Sequence, residues 1–179
     1  MYYILSLIVF ILLINTGQSQ IIFLDDVTTV AGGGDTLGVD LLLNGNAELA
    51  FADTNEWVAK FGSTVTQSSG EHVHGGTYSV KTVTAGGGTG VGPVTSSATV
   101  TDSTYWLEGW CYVVDGAANV LIEYAGEEYL VEAKDAWTYF KLSFTETASG
   151  YKTFKATEYG AGGNTTFYLD DCSIKRRLP

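Results

Sequence analysis

Residues 104–114 constrain the fold most. Tyr105, Leu107, Gly109, Cys111 and Val113 fall on one side of an extended chain, and Trp106, Glu108, Trp110 and Tyr112 fall on the other. Side chains of a β-strand alternate between faces, so this period of two marks a strand with one face in a core and a second face made of large rings. A lone strand of this kind cannot bury its apolar side, so the chain must supply partner strands and a second layer. It does so at 137–145, where Phe140, Leu142 and Phe144 oppose Trp137, Tyr139 and Lys141. In 165–175, Tyr168, Asp170, Cys172 and Ile174 are expected to oppose Phe167, Leu169 and Asp171. Further strands are expected at 41–48, 57–68, 77–85, 91–101, 119–125, 128–133 and 151–159, parted by clusters such as Ser68-Ser69-Gly70, Ala85-Gly86-Gly87-Gly88 and Ala125-Gly126-Glu127. No stretch sustains a helical period with caps. The expectation is an all-β sandwich of two antiparallel sheets, with the last strand central enough to bury Cys172 and Ile174.

The domain proper is expected to run over 41–179. The preceding residues 20–40 are Gly-rich and read as a linker, with one short strand at Ile21–Leu24. Ile4–Ile14 is an apolar run of 11 residues, well short of the roughly 20 needed to span a bilayer. Gly17 and Ser19 place small residues ahead of a cut, so residues 1–19 read as a signal peptide, with a retained apolar arm as the alternative. The reading is therefore a secreted protein without a transmembrane span. The formal net charge of −11 in 179 residues excludes nucleic acid as a natural partner, because phosphate contacts need a basic footprint. Cys111 and Cys172 both sit in strand patterns and read as buried thiols, with a disulfide, which export would permit, as the alternative.

Four local patterns recur in a fixed order. They are Leu43-Asn44-Gly45-Asn46-Ala47-Glu48 with Trp57, Gly75-Gly76-Thr77-Tyr78-Ser79-Val80-Lys81, Tyr105-Trp106-Leu107-Glu108-Gly109-Trp110, and Trp137 through Phe144 with Tyr168-Leu169-Asp170-Asp171-Cys172-Ser173-Ile174. Over about residues 41–175 this resembles the jelly-roll carbohydrate-binding modules of families 4, 9, 16 and 22, whose fold is galactose-binding-like. Ala47 and Cys172 depart from it, standing where those modules usually carry a large apolar residue and Val. The resemblance implies a jelly roll, a structural core role for Trp57 and Trp137, and a calcium ion between the first loop and the final strand. The positions that match are Glu48 and Asp170, with backbone carbonyls near His74 and Gly75 completing the oxygen set that calcium prefers.

A non-catalytic carbohydrate-binding module is the function these readings favour. Glu127-Glu128 belongs to a hairpin tip, and Asp170-Asp171 is expected to alternate across a strand, so neither offers the paired carboxylates of a glycosidase. Glu71-His72-Val73-His74 reads as a solvated loop rather than a metal site. The candidate ligand face is aromatic: Trp106, Trp110 and Tyr112 on one strand, Glu108 between them, and Tyr139 and Lys141 on a neighbour. Rings that stack on the C–H face of a pyranose, joined by a few polar groups, suit a polysaccharide or surface glycan. The rivals for these rings are a second core, covered by a loop or by the N-terminal segment, and a protein-interaction surface. The rival for the whole chain is a structural or adhesion unit of an extracellular or viral assembly, docked to an assembly partner through a retained N-terminal arm.

Overall fold

A computed structural model describes residues 37–51, 57–93, 95, 98–114, 116–160 and 163–178. The signal-peptide reading and the strand expected at 21–24 fall outside them. Among the described residues eleven strands follow in order: β1 Leu37–Asp40, β2 Ala59–Lys60, β3 Thr64–Ser69, β4 Tyr78–Val83, β5 Gly90–Val91, β6 Thr104–Val113, β7 Asn119–Tyr124, β8 Glu127–Val131, β9 Trp137–Thr145, β10 Lys155–Tyr159 and β11 Thr166–Arg177. They form two antiparallel sheets. One runs β3-β4-β11-β6-β9 with β1 added to β11, and the other runs β2-β5-β10-β7-β8. The fold is an all-β jelly-roll sandwich. Among the described residues no helix is long and apolar enough to cross a membrane.

The core is the sum of the inward registers. β6 supplies Tyr105, Leu107, Cys111 and Val113, β9 supplies Phe140, Leu142 and Phe144, and the opposite sheet supplies Val91, Val120, Ile122, Tyr124, Val131 and Ala156. Truncating a fully buried ring such as Phe140 to Ala is worth about 3–5 kcal/mol. Gly109 fills one inward position of β6 without a side chain, because a Cβ there would lie 2.7 Å from Cys172 Sγ and 2.9 Å from Phe140 Cζ. Cys111 and Cys172 are buried free thiols, as expected, and burial pushes both well above the ordinary thiol range. Trp57 joins the core edge-on to Phe154 and donates its indole N–H to the Asn44 carbonyl.

Four expectations about strands need correction. Residues 37–40, read as linker, form β1 against Arg177 and Lys175. Residues 41–48 form a loop rather than a strand. Asn44 and Ala47 adopt positive φ, and the Asn44 amide exchanges two hydrogen bonds with the Leu49 backbone. The expected 57–68 strand breaks at Phe61-Gly62, so β2 and β3 enter different sheets. Of 91–101, only Val91 lies in a named strand; beyond it Thr99 makes an isolated bridge to Gly150.

The alternation expected for β11 also fails, and the reason matters for the site. The register slips between Asp170 and Ser173, and Asp171 takes φ 48°. One extra residue makes a bulge there. Phe167 and Leu169 before it, and Cys172 and Ile174 after it, therefore all face the core. Cys172 and Ile174 are buried, as expected of a central strand, but they share the face of Phe167 and Leu169 rather than opposing it.

Candidate functional site

The outer face of the six-stranded sheet carries the aromatic side of β6. Cross-strand pairing sets Trp106 opposite Ser143, Glu108 opposite Lys141, Trp110 opposite Tyr139 and Tyr112 opposite Trp137. On the other flank, Tyr168 lies opposite Tyr112 and Lys175 opposite Trp106. All six residues expected to form a ligand face are brought together on this surface. Trp137 belongs to it as well: its ring meets Tyr112 at 5.6 Å between centroids, so it is a surface residue rather than the core residue expected.

The face has two unlike ends. At the Trp106 end, Lys141 Nζ sits 3.4 Å from the centroid of the Trp106 ring and 3.6 Å from Glu108 Oε2. The Tyr139 hydroxyl donates to the same carboxylate oxygen at 2.6 Å. Burial and the Glu108 carboxylate push the Tyr139 phenol up to about 12, so it remains a donor at neutral pH. Tyr139 is 43% exposed, and the Trp106 ring is partly open to solvent. The result is an indole plane bordered by a carboxylate, an ammonium and a phenol, the mixture of apolar wall and placed polar groups typical of small-ligand sites.

At the Tyr112 end a loop lies on the rings. His72 stacks on Tyr112 at 3.9 Å and 24°, and tilts against Tyr168 at 4.8 Å. His74 stacks on Trp110 at 4.0 Å and 18°, with its edge toward Trp137 at 5.5 Å. The two histidines are thus not idle loop side chains.

Four carboxylates fasten this loop. Asp170 is fully buried and accepts the backbone N–H groups of His74 and Gly75 at 2.9 and 3.1 Å. Asp171, swung round by the bulge, holds His74 Nδ1 at 2.8 Å. The two aspartates expected to point to opposite faces therefore grip one residue. Glu48 Oε1 accepts the N–H groups of Thr77 and Tyr78 at 2.7 and 2.9 Å, which holds its carboxyl below the usual range. Glu71 bonds Lys81 and the Tyr168 hydroxyl. Gly75 and Gly76 permit this approach: a Cβ on Gly75 would lie 2.8 Å from Asp171 Oδ2, and one on Gly76, at φ 71°, would sit on Glu48 Oε1.

The arrangement does not fit a calcium ion shared by Glu48 and Asp170. A cation needs oxygen lone pairs turned toward it. Here N–H groups of 74 and 75, not their carbonyls, face Asp170, and two more N–H groups face Glu48. Among the described residues, no three His, Cys, Asp or Glu side chains are grouped to hold a metal.

No family model and no curated protein matches the chain. Solved structures share its fold. The CBM22-1 xylan-binding domain from Paenibacillus barcinonensis Xyn10C superposes with a TM-score of 0.59 at 14% identity, covering 79% of this chain and 97% of that one. A family 16 carbohydrate-binding module gives 0.53 at 23% identity, covering 75% of this chain and 98% of that one. The arabinose-bound α-L-arabinofuranosidase MgGH51 gives 0.66 at 15% identity, covering 80% of this chain but only 27% of the enzyme.

Proposed function

We propose that this chain is a non-catalytic glycan-binding module that holds a polysaccharide or surface glycan on the outer face of its six-stranded sheet, at the Trp106 end. The observation that carries this reading is the half-buried Trp106 indole with the Lys141 ammonium over its ring and Glu108 and Tyr139 joined to that ammonium's side of the face. The indole offers a plane for the apolar face of a pyranose, and the three polar groups offer hydrogen bonds to its hydroxyls. Trp110, on which His74 is stacked, borders the strip beside Tyr139, at 5.3 Å. The carbohydrate-binding modules that share the fold support the reading, and secretion would place the module where such polymers occur.

The test is affinity electrophoresis through gels that contain xylan, glucomannan, arabinan or hydroxyethylcellulose. The wild-type protein is expected to be retarded by at least one polymer. Trp106→Ala is expected to abolish retardation while its unfolding free energy falls by no more than about 1 kcal/mol, the range of changes away from packed cores. Loss of about 3–5 kcal/mol would instead mark Trp106 as a core ring.

A further inference from the structure

The loop 71–77 does more than cover two rings. It crosses the whole width of the candidate face at one end, touching β11 at Tyr168, β6 at Tyr112 and Trp110, and β9 at Trp137. Its seat is fixed rather than loose. Asp170 and Asp171 hold His74, Glu48 holds Thr77 and Tyr78, and Glu71 reaches Tyr168. At the opposite end, among the described residues, the Trp106 ring meets the Lys141 ammonium and no histidine of this loop.

We infer that this loop is an end-stop: the site takes the terminus of a glycan chain, or a short branch, and excludes a chain that runs on past Trp110. The inference rests on the glycan-binding reading above. Along β6 the stretch from Trp106 to Trp110 spans about 14 Å at ~3.4 Å per residue, room for a few sugar rings before the imidazoles of His74 and His72. A longer chain laid along this strip gains no further contact, because Trp110 and the next rings, Tyr112 and Trp137, already have histidine partners.

The experiment is calorimetry with cello-, xylo-, manno- and arabino-oligosaccharides of one to six rings, on the wild-type protein and on His72→Gly/His74→Gly. Glycine suits the positive φ of His72, and a melting curve checks that the double variant folds. Wild-type affinity is expected to rise about tenfold or more over the first rings and then to change by less than about twofold up to six, since each useful contact of 1.4 kcal/mol is a factor of ten. The double variant is expected to keep its affinity for the short sugars and to go on gaining with length. A wild-type affinity that climbs steadily to six rings overturns the end-stop and leaves glycan binding intact. Retention on a polymer without measurable binding of any oligosaccharide also overturns it. Failure of both proteins to bind any polymer or oligosaccharide removes the glycan-binding reading, and the end-stop with it.

Discussion

The His74 imidazole lies flat on the Trp110 indole, 4.0 Å between centroids and 18° from parallel, and Asp171 Oδ2 fixes its Nδ1 at 2.8 Å. A bulge in the central strand, a loop and an aromatic face thus meet in one three-residue contact. Each member has a separable physical role, which makes the contact open to test.

Asp171 does two things, and substitutions separate them. Its φ of 48° suits Asp, Asn or Gly and resists a β-branched residue. Its carboxylate pairs with His74, but it is 41% exposed, so the pair itself contributes little. Asp171→Asn is expected to change the unfolding free energy by less than about 1 kcal/mol, whereas Asp171→Val is expected to cost about 1–2 kcal/mol more for the left-handed backbone. Asp171→Gly keeps the bulge but frees the imidazole. In proton NMR, the His74 Hε1 line, displaced by the Trp110 ring current in the wild-type protein, should then move toward its solvent position. Asn and Val variants of equal stability, or an unmoved Hε1 line in Asp171→Gly, would contradict these roles.

The dependence of stability on pH should carry two opposed contributions. Burial is the largest influence on Asp170 and raises its pKa above 3.8, although three backbone N–H bonds oppose the rise. The folded state therefore binds a proton more readily than the unfolded chain in the window just above 3.8, so this residue's contribution to stability falls as pH rises through that window. Glu48 behaves oppositely. Backbone bonds from Tyr78 and Thr77 lower its pKa below 4.5, so its contribution is present above 4.5 and is lost as pH falls through the lowered value. Urea titrations at closely spaced pH values across the carboxylate range should show Asp170→Asn removing the first slope and Glu48→Gln removing the second. A pair of variants whose curves parallel the wild type would show that neither carboxylate is perturbed in the folded state.

What was legible in the sequence was the part encoded by neighbours along one strand. The alternation of Tyr105 through Val113 specified both faces of β6, and the same period in β9 brought Tyr139 and Lys141 beside Trp110 and Glu108. Parity fails wherever a single residue is inserted. The Asp171 bulge put Phe167 and Leu169 on the same side as Cys172 and Ile174 instead of opposite them, and the local trace was a residue type that tolerates positive φ. Turn chemistry was readable but outvoted at 41–48: Asn44-Gly45-Asn46 is a turn sequence, whereas Leu41, Leu42 and Leu43 suggested a strand. The histidine loop was not legible, because His72 and His74 meet Tyr112 and Trp110 across a long stretch of chain and no local period records a contact of that kind. Only the paired residues at 75 and 76, both glycine, hinted that something approaches the backbone closely there.

The fastening of the loop by hydrogen bonds to Glu48 and Asp170 leads to the last prediction. A ligand that binds only the folded state raises stability in proportion to its occupancy, so a resident calcium ion would make the melting temperature sensitive to chelators. Glu48 and Asp170 already accept two backbone N–H bonds each from the 74–78 segment. Protein dialysed against EDTA is therefore expected to melt at the same temperature as protein in millimolar calcium. Asp170→Ala is expected to be destabilised in both conditions by about 1–3 kcal/mol, the cost of leaving buried N–H groups without an acceptor. It should also lose the displaced His74 Hε1 line, since His74 N would no longer be held. A fall in the wild-type melting temperature in EDTA that calcium restores, and that Asp170→Ala abolishes, would mean that the two carboxylates turn from the backbone to a cation, and the hydrogen-bonded clamp would be wrong.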